Sequence, residues 1–216
     1  MFTKYGYTTI GVTAILSFLL IVMSLFINNS VVRIVIIAVS ILLISFTLYF
    51  FRDPNRTPPT RNDVIVSPAD GKILFVKEVI DNKFIGGKAN QVSIFMSPLN
   101  VHVNRIPIDG RIDYLRYFEG RYIAAFEDKA SELNERVEIG ITTSSGKILF
   151  TQVAGFIARR IVNELKNGED VKMGERFGMI KFGSRVDVIA PENWKPVVKK
   201  NDNVSAGESI LFELVK

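Results

Sequence analysis

Two uncharged apolar runs near the start of the chain constrain its fold more than any other feature. Each run is 18 residues long, from Ile10 to Ile27 and from Ile34 to Phe51. A helix of about 20 apolar residues crosses the hydrocarbon core of a bilayer. A cleaved signal peptide fits poorly, because the second run follows after only a short polar turn. The sequence therefore predicts a transmembrane hairpin over residues 1–51 and a linker over 52–62.

The charges that flank the two runs predict the side of the membrane on which the rest of the chain lies. Lys4 precedes the first run, whereas Arg52, Arg56 and Arg61 follow the second. Basic residues concentrate in cytoplasmic flanks, so both ends of the hairpin are predicted to face the cytoplasm. The remaining residues would then lie on the cytoplasmic face of the cell (inner) membrane, with these arginines near lipid phosphates. A hairpin buried in a globular core is the alternative interpretation.

Composition excludes several kinds of chemistry. The 216 residues include no cysteine and a single histidine, which excludes metal sites built from cysteines or from several histidines. The net charge of +5 favours an anionic partner, and the apolar runs favour membrane lipid over nucleic acid. We therefore expect membrane lipids as partners, with no metal and no nucleic acid.

From residue 63 onward the pattern changes to short strands separated by Gly, Asp and Asn. The clearest hairpin has strands at 137–142 and 147–153, and one helix is predicted at 157–165. Two turn-and-strand stretches, 67–73 and 202–210, resemble barrel-sandwich domains of the lipoyl type. The sequence therefore predicts a mostly β (α+β) domain over 63–216, barrel-sandwich-like, with short strands and few helices.

A Gly183-Ser184 pair between two strand-like pieces is the candidate reactive site. Glycine lets the backbone take conformations that other residues resist. The serine then places its hydroxyl beside the preceding carbonyl carbon, which is the geometry for a nitrogen-to-oxygen acyl shift. Elimination and hydrolysis would leave a pyruvoyl group, a ketone made from the chain itself. An ordinary turn at a strand junction is the competing interpretation.

Asp70 and His102 are the candidate acid–base groups. The acyl shift needs a proton acceptor for the serine hydroxyl, the elimination needs a base, and a decarboxylation needs an acid. Considered separately, Asp70 would be a turn residue in Pro-Ala-Asp-Gly and His102 a half-buried strand residue.

Seven stretches resemble the short, pyruvoyl-dependent phosphatidylserine decarboxylase family, including its archaetidylserine-type relatives. In order, they are FFRDPNRTPP (50–59), SPADGKI (67–73), IFMSPLNVHVNRIPIDG (94–110), KASELNER (129–136), QVAGFIARRIV (152–162), GERFGMIKFGSRVDV (174–188) and VSAGESIL (204–211). The resemblance covers nearly everything from residue 50 onward. It implies a zymogen that cuts itself between Gly183 and Ser184 into a β chain of residues 1–183 and an α chain of residues 184–216.

The resemblance also implies the activity and the roles of residues. The chain would be a carboxy-lyase that makes phosphatidylethanolamine and CO₂ from a serine phospholipid. Its cofactor would be a covalent pyruvate derived from Ser184, and it would form a homodimer. Asp70 matches the residue assigned to self-processing, and His102 matches one associated with decarboxylation. Two alternatives stay open: a non-catalytic membrane-anchored β adaptor, and a decarboxylase of an archaetidylserine-type ether lipid.

The chain departs from the longer bacterial members of that family in three places. Their Leu-Gly-Ser-Thr is Phe-Gly-Ser-Arg here, their second histidine is Arg105, and an aspartate is Asn100. A processing triad with a second histidine therefore cannot be carried over. Either His102 serves both steps, or Asp70 works with Arg105 and backbone donors. The candidates for binding the substrate phosphodiester or carboxylate through paired hydrogen bonds are Arg105, Arg185, Arg159 and Arg160.

Overall fold

The computed structural model describes residues 1–120, 134–155, 161–181 and 184–215. The chain divides into two compact units, Met1–Asn55 and Arg56–Lys216. The division falls inside the stretch 52–62, which the sequence predicts to be a linker.

The first unit contains two helices, α1 at Tyr7–Ser24 and α2 at Ser30–Phe50. With the short 3-10 turn that precedes α1, each apolar helical segment spans 21 residues. At about 1.5 Å per residue, this length matches a hydrocarbon core of about 30 Å. Only 11% and 6% of their most apolar windows are buried. Both helices are therefore long and apolar enough to cross a membrane, and they leave exposed the surface that a globular core would bury.

An N-cap explains why α2 begins four residues before its apolar run. The side-chain oxygen of Asn29 accepts hydrogen bonds from the backbone N–H groups of Val31 and Val32, at 3.0 and 3.2 Å. These bonds satisfy donors that the first turn of a helix leaves without intrahelical partners. Arg33 consequently lies within the first turn of α2.

The second unit is built from short antiparallel strands. Within the described residues they are β1 Val64–Val66, β2 Gly71–Asp81, β3 Gly87–Met96, β4 Val103–Arg105, β5 Gly110–Phe118, β6 Arg136–Thr143, β7 Gly146–Ala154, β8 Ile161–Asn163, β9 Asp170–Val171, β10 Arg176–Ile180, β11 Ser184–Pro191, β12 Trp194–Pro196, β13 Asn203–Val204 and β14 Ile210–Leu214. The largest sheet, in the order β13-β2-β3-β11-β7-β6-β5-β9, curls into a half-barrel. Two smaller sheets have the orders β1-β14-β12 and β4-β10-β8. The predicted mostly β class with few helices is confirmed.

Strand β11 lies in the middle of the large sheet, between β3 and β7. Ile94, Val186 and Phe150, one from each of these strands, point into the apolar core. Successive residues of a strand point to opposite faces. Ser184 therefore shares the core-facing side with Val186, whereas the side chain of Arg185 points to the other face.

The structure confirms the predicted hairpin and shows a strand in part of the predicted helix. Strands β6 and β7 pair in regular register from Arg136 opposite Val153 to Thr143 opposite Gly146, which confirms the hairpin. The helix predicted at 157–165 is wrong where it can be compared, because Ile161–Asn163 forms a strand paired with β10. Residues 156–160 lie outside the described residues. Isoleucine and valine favour strands, and the neighbouring strand outweighs the weak helical preference of so short a segment.

Candidate active site

Ser184 begins β11 with its side chain buried in the sheet. It lies opposite Met96 of β3 and Ala154 of β7, and its exposed fraction is 0%. Among the described residues, its Oγ has no hydrogen-bond partner. Leaving a buried polar group unpaired costs about 1–3 kcal/mol, so a folded protein keeps such a group for a reason. A dry hydroxyl with unengaged lone pairs is suited to act as a nucleophile. Gly183 lies outside the described residues.

His102 lies beside the strand that leads to Ser184. Its backbone oxygen accepts a hydrogen bond from the N–H of Ile180, the last residue of β10, at 3.4 Å. Its ring is fully buried, and Nδ1 lies 2.9 Å from the backbone oxygen of Asn100. Because a carbonyl oxygen only accepts, Nδ1 carries the hydrogen, and Nε2 of the neutral ring holds the lone pair. This arrangement fixes the tautomer in which Nε2 can exchange a proton.

The departure at Asn100 is explained by this contact. The backbone of Asn100, not its side chain, orients the His102 ring. The side-chain oxygen of Asn100 instead accepts hydrogen bonds from the N–H and the hydroxyl of Ser97, at 2.9 and 2.8 Å, and so closes the local turn. An asparagine at this position therefore retains the orientation of the histidine.

Asp70 lies in the turn between β1 and β2, where it forms an ion pair. Its carboxylate accepts hydrogen bonds from Nη2 of Arg56 and from the backbone N–H of Ala206, each at 2.8 Å. A guanidinium and a backbone donor both favour the ionised form of a carboxylate. The Asp70 carboxylate is thus held between a guanidinium and a backbone N–H.

Gly71 brings this turn against the strand next to Ser184. A Cβ at Gly71 would collide with the backbone oxygen of Phe95, so only glycine permits the approach. Phe95 precedes Met96, the residue opposite Ser184. Since β2, β3 and β11 are successive neighbours, the turn lies two strand spacings, about 10 Å, from the strand of Ser184.

Arg56 lies at the Asp70 turn, although the sequence predicted it only as a flanking charge in the linker. Its guanidinium bridges Asp70 and Glu208, each at 2.8 Å. The backbone N–H of Thr57 also binds Glu208. This bond and the positive charges of Arg56 and Arg105 outweigh partial desolvation and hold the pKa of Glu208 below its ordinary value. The available signal was the position of Arg56 and Glu208 inside two of the quoted stretches.

The side chains of Arg56 and Arg61 form ion pairs with carboxylates. Arg61 lies 2.9 Å from Asp63 and 2.7 Å from Glu213. Both arginines therefore tie the segment after the helices to the β domain.

Arg105 lies against the Asp70 turn. Its backbone N–H donates to the carbonyl of Pro68 at 2.9 Å, and its Nη1 donates to the carbonyl of Gly174 at 2.9 Å. Arg105 is only 5% exposed, and a Cβ at Gly207 would lie 3.0 Å from its Cδ. The structure thus places Arg105 beside the turn that carries Asp70. One nitrogen of the Arg105 guanidinium already donates to the Gly174 carbonyl.

A chain of three amide side chains, of which Gln152 and Asn104 are buried, connects the small sheet to the same turn. Asn163 donates to the side-chain oxygen of Gln152 at 3.1 Å, and Gln152 donates to that of Asn104 at 2.9 Å. Asn104 in turn donates to the carbonyl of Pro68 at 3.3 Å. Local sequence patterns do not predict this network, because its members are far apart in the chain and meet only through the sheet order.

Of the remaining predicted binding residues, Arg185 is not brought to the Ser184 hydroxyl. Arg185 points to the opposite face of the sheet, where it pairs with Asp187. Arg159 and Arg160 lie outside the described residues. Within the described ranges, no group of three or more His, Asp or Glu side chains could hold a metal ion.

Fold and site together define a mostly β domain, preceded by two apolar helices, whose candidate reactive group is a buried serine. A family model described as phosphatidylserine decarboxylase matches residues 43–212. The phosphatidylserine decarboxylase proenzyme of Chlorobium limicola is 50% identical over 212 residues, which cover 98% of this chain and 99% of that protein. The proenzyme of Prosthecochloris aestuarii is 45% identical over 214 residues, with 99% and 98% covered. This chain belongs to the phosphatidylserine decarboxylase family.

Proposed function

We propose that this chain is a self-cleaving, pyruvoyl-dependent phosphatidylserine decarboxylase that releases CO₂ and forms phosphatidylethanolamine. In a chain of this family, the buried Ser184 hydroxyl, which has no hydrogen-bond partner within the described part of the chain, carries the proposal. The relatives are named proenzymes, which supports activation by cleavage. The sequence identity to these relatives extends over nearly the full chain. It favours neither a non-catalytic adaptor nor a decarboxylase of an ether lipid.

Self-cleavage would begin with attack of the Ser184 hydroxyl on the carbonyl carbon of Gly183. Asp70, whose turn lies about 10 Å from the strand of Ser184, would accept the hydroxyl proton through a proton relay. The C–N bond breaks, and the nitrogen takes up a proton, which leaves an ester. Removal of the Cα proton of residue 184 then breaks the C–O bond and releases Gly183 as a carboxylate. The amino-terminal dehydroalanine takes up water and loses ammonia, which leaves a pyruvoyl ketone.

The two products would stay together after this reaction. Strand β11 remains hydrogen-bonded between β3 and β7. Strand β14, also from the α chain, remains between β1 and β12. Residues 184–216 thus contribute strands to two sheets, and breaking one peptide bond leaves those ladders intact.

The pyruvoyl group supplies an electron sink for the electron pair that is released as CO₂ leaves. His102, once protonated, would deliver the Nε2 proton to the carbon that has lost CO₂. The burial of His102 and Ser184 excludes water from this proton transfer. Arg105, Arg159 and Arg160 stay candidates for binding the substrate phosphodiester or carboxylate, and a homodimer stays the proposed assembly.

Intact mass before and after borohydride treatment tests the proposed function. We expect two fragments divided between Gly183 and Ser184, with the smaller one blocked at its amino terminus. Borohydride should add two hydrogen atoms to that fragment, because it reduces the ketone to an alcohol. A single chain of 24.3 kDa that borohydride leaves unchanged would contradict the proposal.

The proposed location is the cell (inner) membrane, with α1 and α2 as spans and the β domain on the cytoplasmic face. The chain has no cysteine, so single cysteines can report which side is accessible. In spheroplasts, a membrane-impermeant maleimide should label Asn28→Cys between the helices. It should label Ser144→Cys, in the exposed turn between β6 and β7, only after the membrane is opened. Labelling of Ser144→Cys in sealed spheroplasts would reverse the orientation.

A further inference from the structure

Arg185 is buried on the sheet face opposite the Ser184 side chain. Its exposed fraction is 1%. Its Nε donates to Asp187 at 2.6 Å, and its Nη2 donates to the hydroxyl of Ser93 at 3.1 Å. The guanidinium carbon also lies 4.7 Å from the centre of the Phe75 ring. These contacts fix the side chain on three sides.

The partners of Arg185 are fixed as well. The Ser93 hydroxyl donates to Asp187 at 2.6 Å, and the Gln91 amide donates to Ser93 at 3.2 Å. Together with Arg185, Asp187 and Gln91 line a cavity of about 280 Å³ on this face. Burying an ion pair costs desolvation that its attraction only partly offsets, so its presence is weak evidence for a role in overall stability. A more specific role follows from its position next to the cleavage site.

Self-cleavage changes what holds residue 184 in place. In the uncut chain, residue 184 is covalently joined through residues 181–183 to β10. In the cut chain, residue 184 is a chain end. Conversion to the ketone also removes its nitrogen, so it loses the backbone donor that it brings to the sheet. The first residue with both a complete backbone and an anchored side chain is then Arg185.

We propose that Arg185 is a positioning residue, which anchors the new chain end through Asp187 and Ser93 and thereby holds the ketone of residue 184 for reaction. This inference rests on the proposed function. It replaces the expectation that Arg185 binds substrate, because its guanidinium already binds Asp187 and lies on the face away from the Ser184 side chain. A carboxylate or phosphate would have to displace an internal ion pair to reach it.

The test compares Arg185→Met with the wild-type enzyme in its cleaved form. We expect Arg185→Met to cut itself to the same extent, because covalent continuity positions Ser184 before cleavage. Decarboxylation by the cleaved variant should show kcat at least about tenfold lower with KM nearly unchanged, since a displaced reacting group slows chemistry more than binding. A raised KM with wild-type kcat would make Arg185 a substrate-binding residue and overturn the inference.

Hydrogen exchange gives a readout that does not depend on activity. In the cleaved Arg185→Met protein, amide exchange at residues 185–188 should rise at least about tenfold. In an uncut Ser184→Ala background, the same substitution should change it less than about threefold, because the chain still holds residue 184 from both sides. Equal increases in both backgrounds would show a purely structural role.

A matched control lies on the same face. Lys83→Met removes the ion pair with Glu138, which lines the same cavity and keeps Arg136 and Tyr114 as partners. We expect this variant to retain wild-type kcat and exchange at 185–188. If Lys83→Met reproduced the effects of Arg185→Met, the inference that Arg185 specifically anchors residue 184 would be wrong.

Two further outcomes are distinguishable. If Arg185→Met does not fold, the double variant Arg185→Met/Asp187→Leu removes both charges, and the same two readouts apply to it. An uncut wild-type chain would overturn the proposed function and this inference with it. A cleaved wild-type enzyme with unaffected Arg185 variants would overturn the inference alone.

Discussion

Replacing Ser184 with alanine is expected to leave one uncut chain with no decarboxylase activity. Alanine removes the only atom at residue 184 that can attack the Gly183 carbonyl, so neither the ester nor the ketone can form. The substitution should not unfold the protein, because the hydroxyl it removes is buried without a hydrogen-bond partner among the described residues. Removing such a group relieves a desolvation cost of about 1–3 kcal/mol. Intact mass and release of CO₂ from phosphatidylserine measure the two losses together.

Two further variants distinguish the loss of the nucleophile from a general loss of folded structure. Ser184→Cys keeps a nucleophile at the same atom position, so we expect slower cleavage that yields the same ketone. Ser144→Ala, in an exposed turn, should cut itself and decarboxylate like the wild type. Cleavage of Ser184→Ala at the wild-type rate would remove Ser184 from the mechanism.

The sequence predicts the features of this fold that depend on residues close together in the chain. It does not predict the features that depend on distant residues. Alternating apolar residues and a short turn predicted the β6–β7 hairpin, because its strands are adjacent in the chain. The strand at Ile161–Asn163 was not predicted, because its pairing with β10 depends on the three-dimensional arrangement. Two apolar helices were evident from length and hydropathy, although the cap at Asn29 moved the start of the second.

In the candidate site, too, local motifs were predicted and long-range contacts were not. Ser184, Asp70 and His102 were identified from short motifs, and the structure places the last two on turns close to the strands around Ser184. The bridge from Arg56 to Glu208 joins residues far apart in the chain, so local patterns could not reveal it. The position of Arg185 was accessible in principle, since neighbouring residues of one strand must point to opposite faces. The charge of Arg185 indicates anion binding, whereas its position in the strand places it on the face away from the Ser184 side chain.

The departures from the longer bacterial members also have a physical explanation. Asn100 orients His102 through its backbone carbonyl, so the loss of a side-chain carboxylate at that position leaves the ring in place. Arg105 replaces a histidine, and it supports the turn that carries Asp70 through its own backbone. The proposed division of roles, with Asp70 in self-cleavage and His102 in decarboxylation, stays a prediction.

The second large effect is expected from His102→Asn, which should cut itself normally but lose most of its decarboxylase activity. The asparagine amide can replace Nδ1 as a donor to the Asn100 carbonyl, so the buried turn keeps its hydrogen bond. It has no group that exchanges a proton at neutral pH, and removing a general acid typically slows a reaction by about 10²–10⁴-fold. Intact mass with borohydride should therefore show a complete ketone, while the rate of CO₂ release falls by that factor.

Asp70→Asn is the matched comparison, because it too exchanges an acid–base group for an amide of similar size. An amide cannot accept the Ser184 proton, so this variant should stay uncut, and its lack of activity should follow from its lack of a ketone. Opposite phenotypes in the two variants would support the division of roles. If His102→Asn also stayed uncut, His102 would serve both steps, and the contact between Asp70 and Arg56 would only hold the turn. The ketone content of each variant thus decides between the two mechanisms without reference to any binding residue.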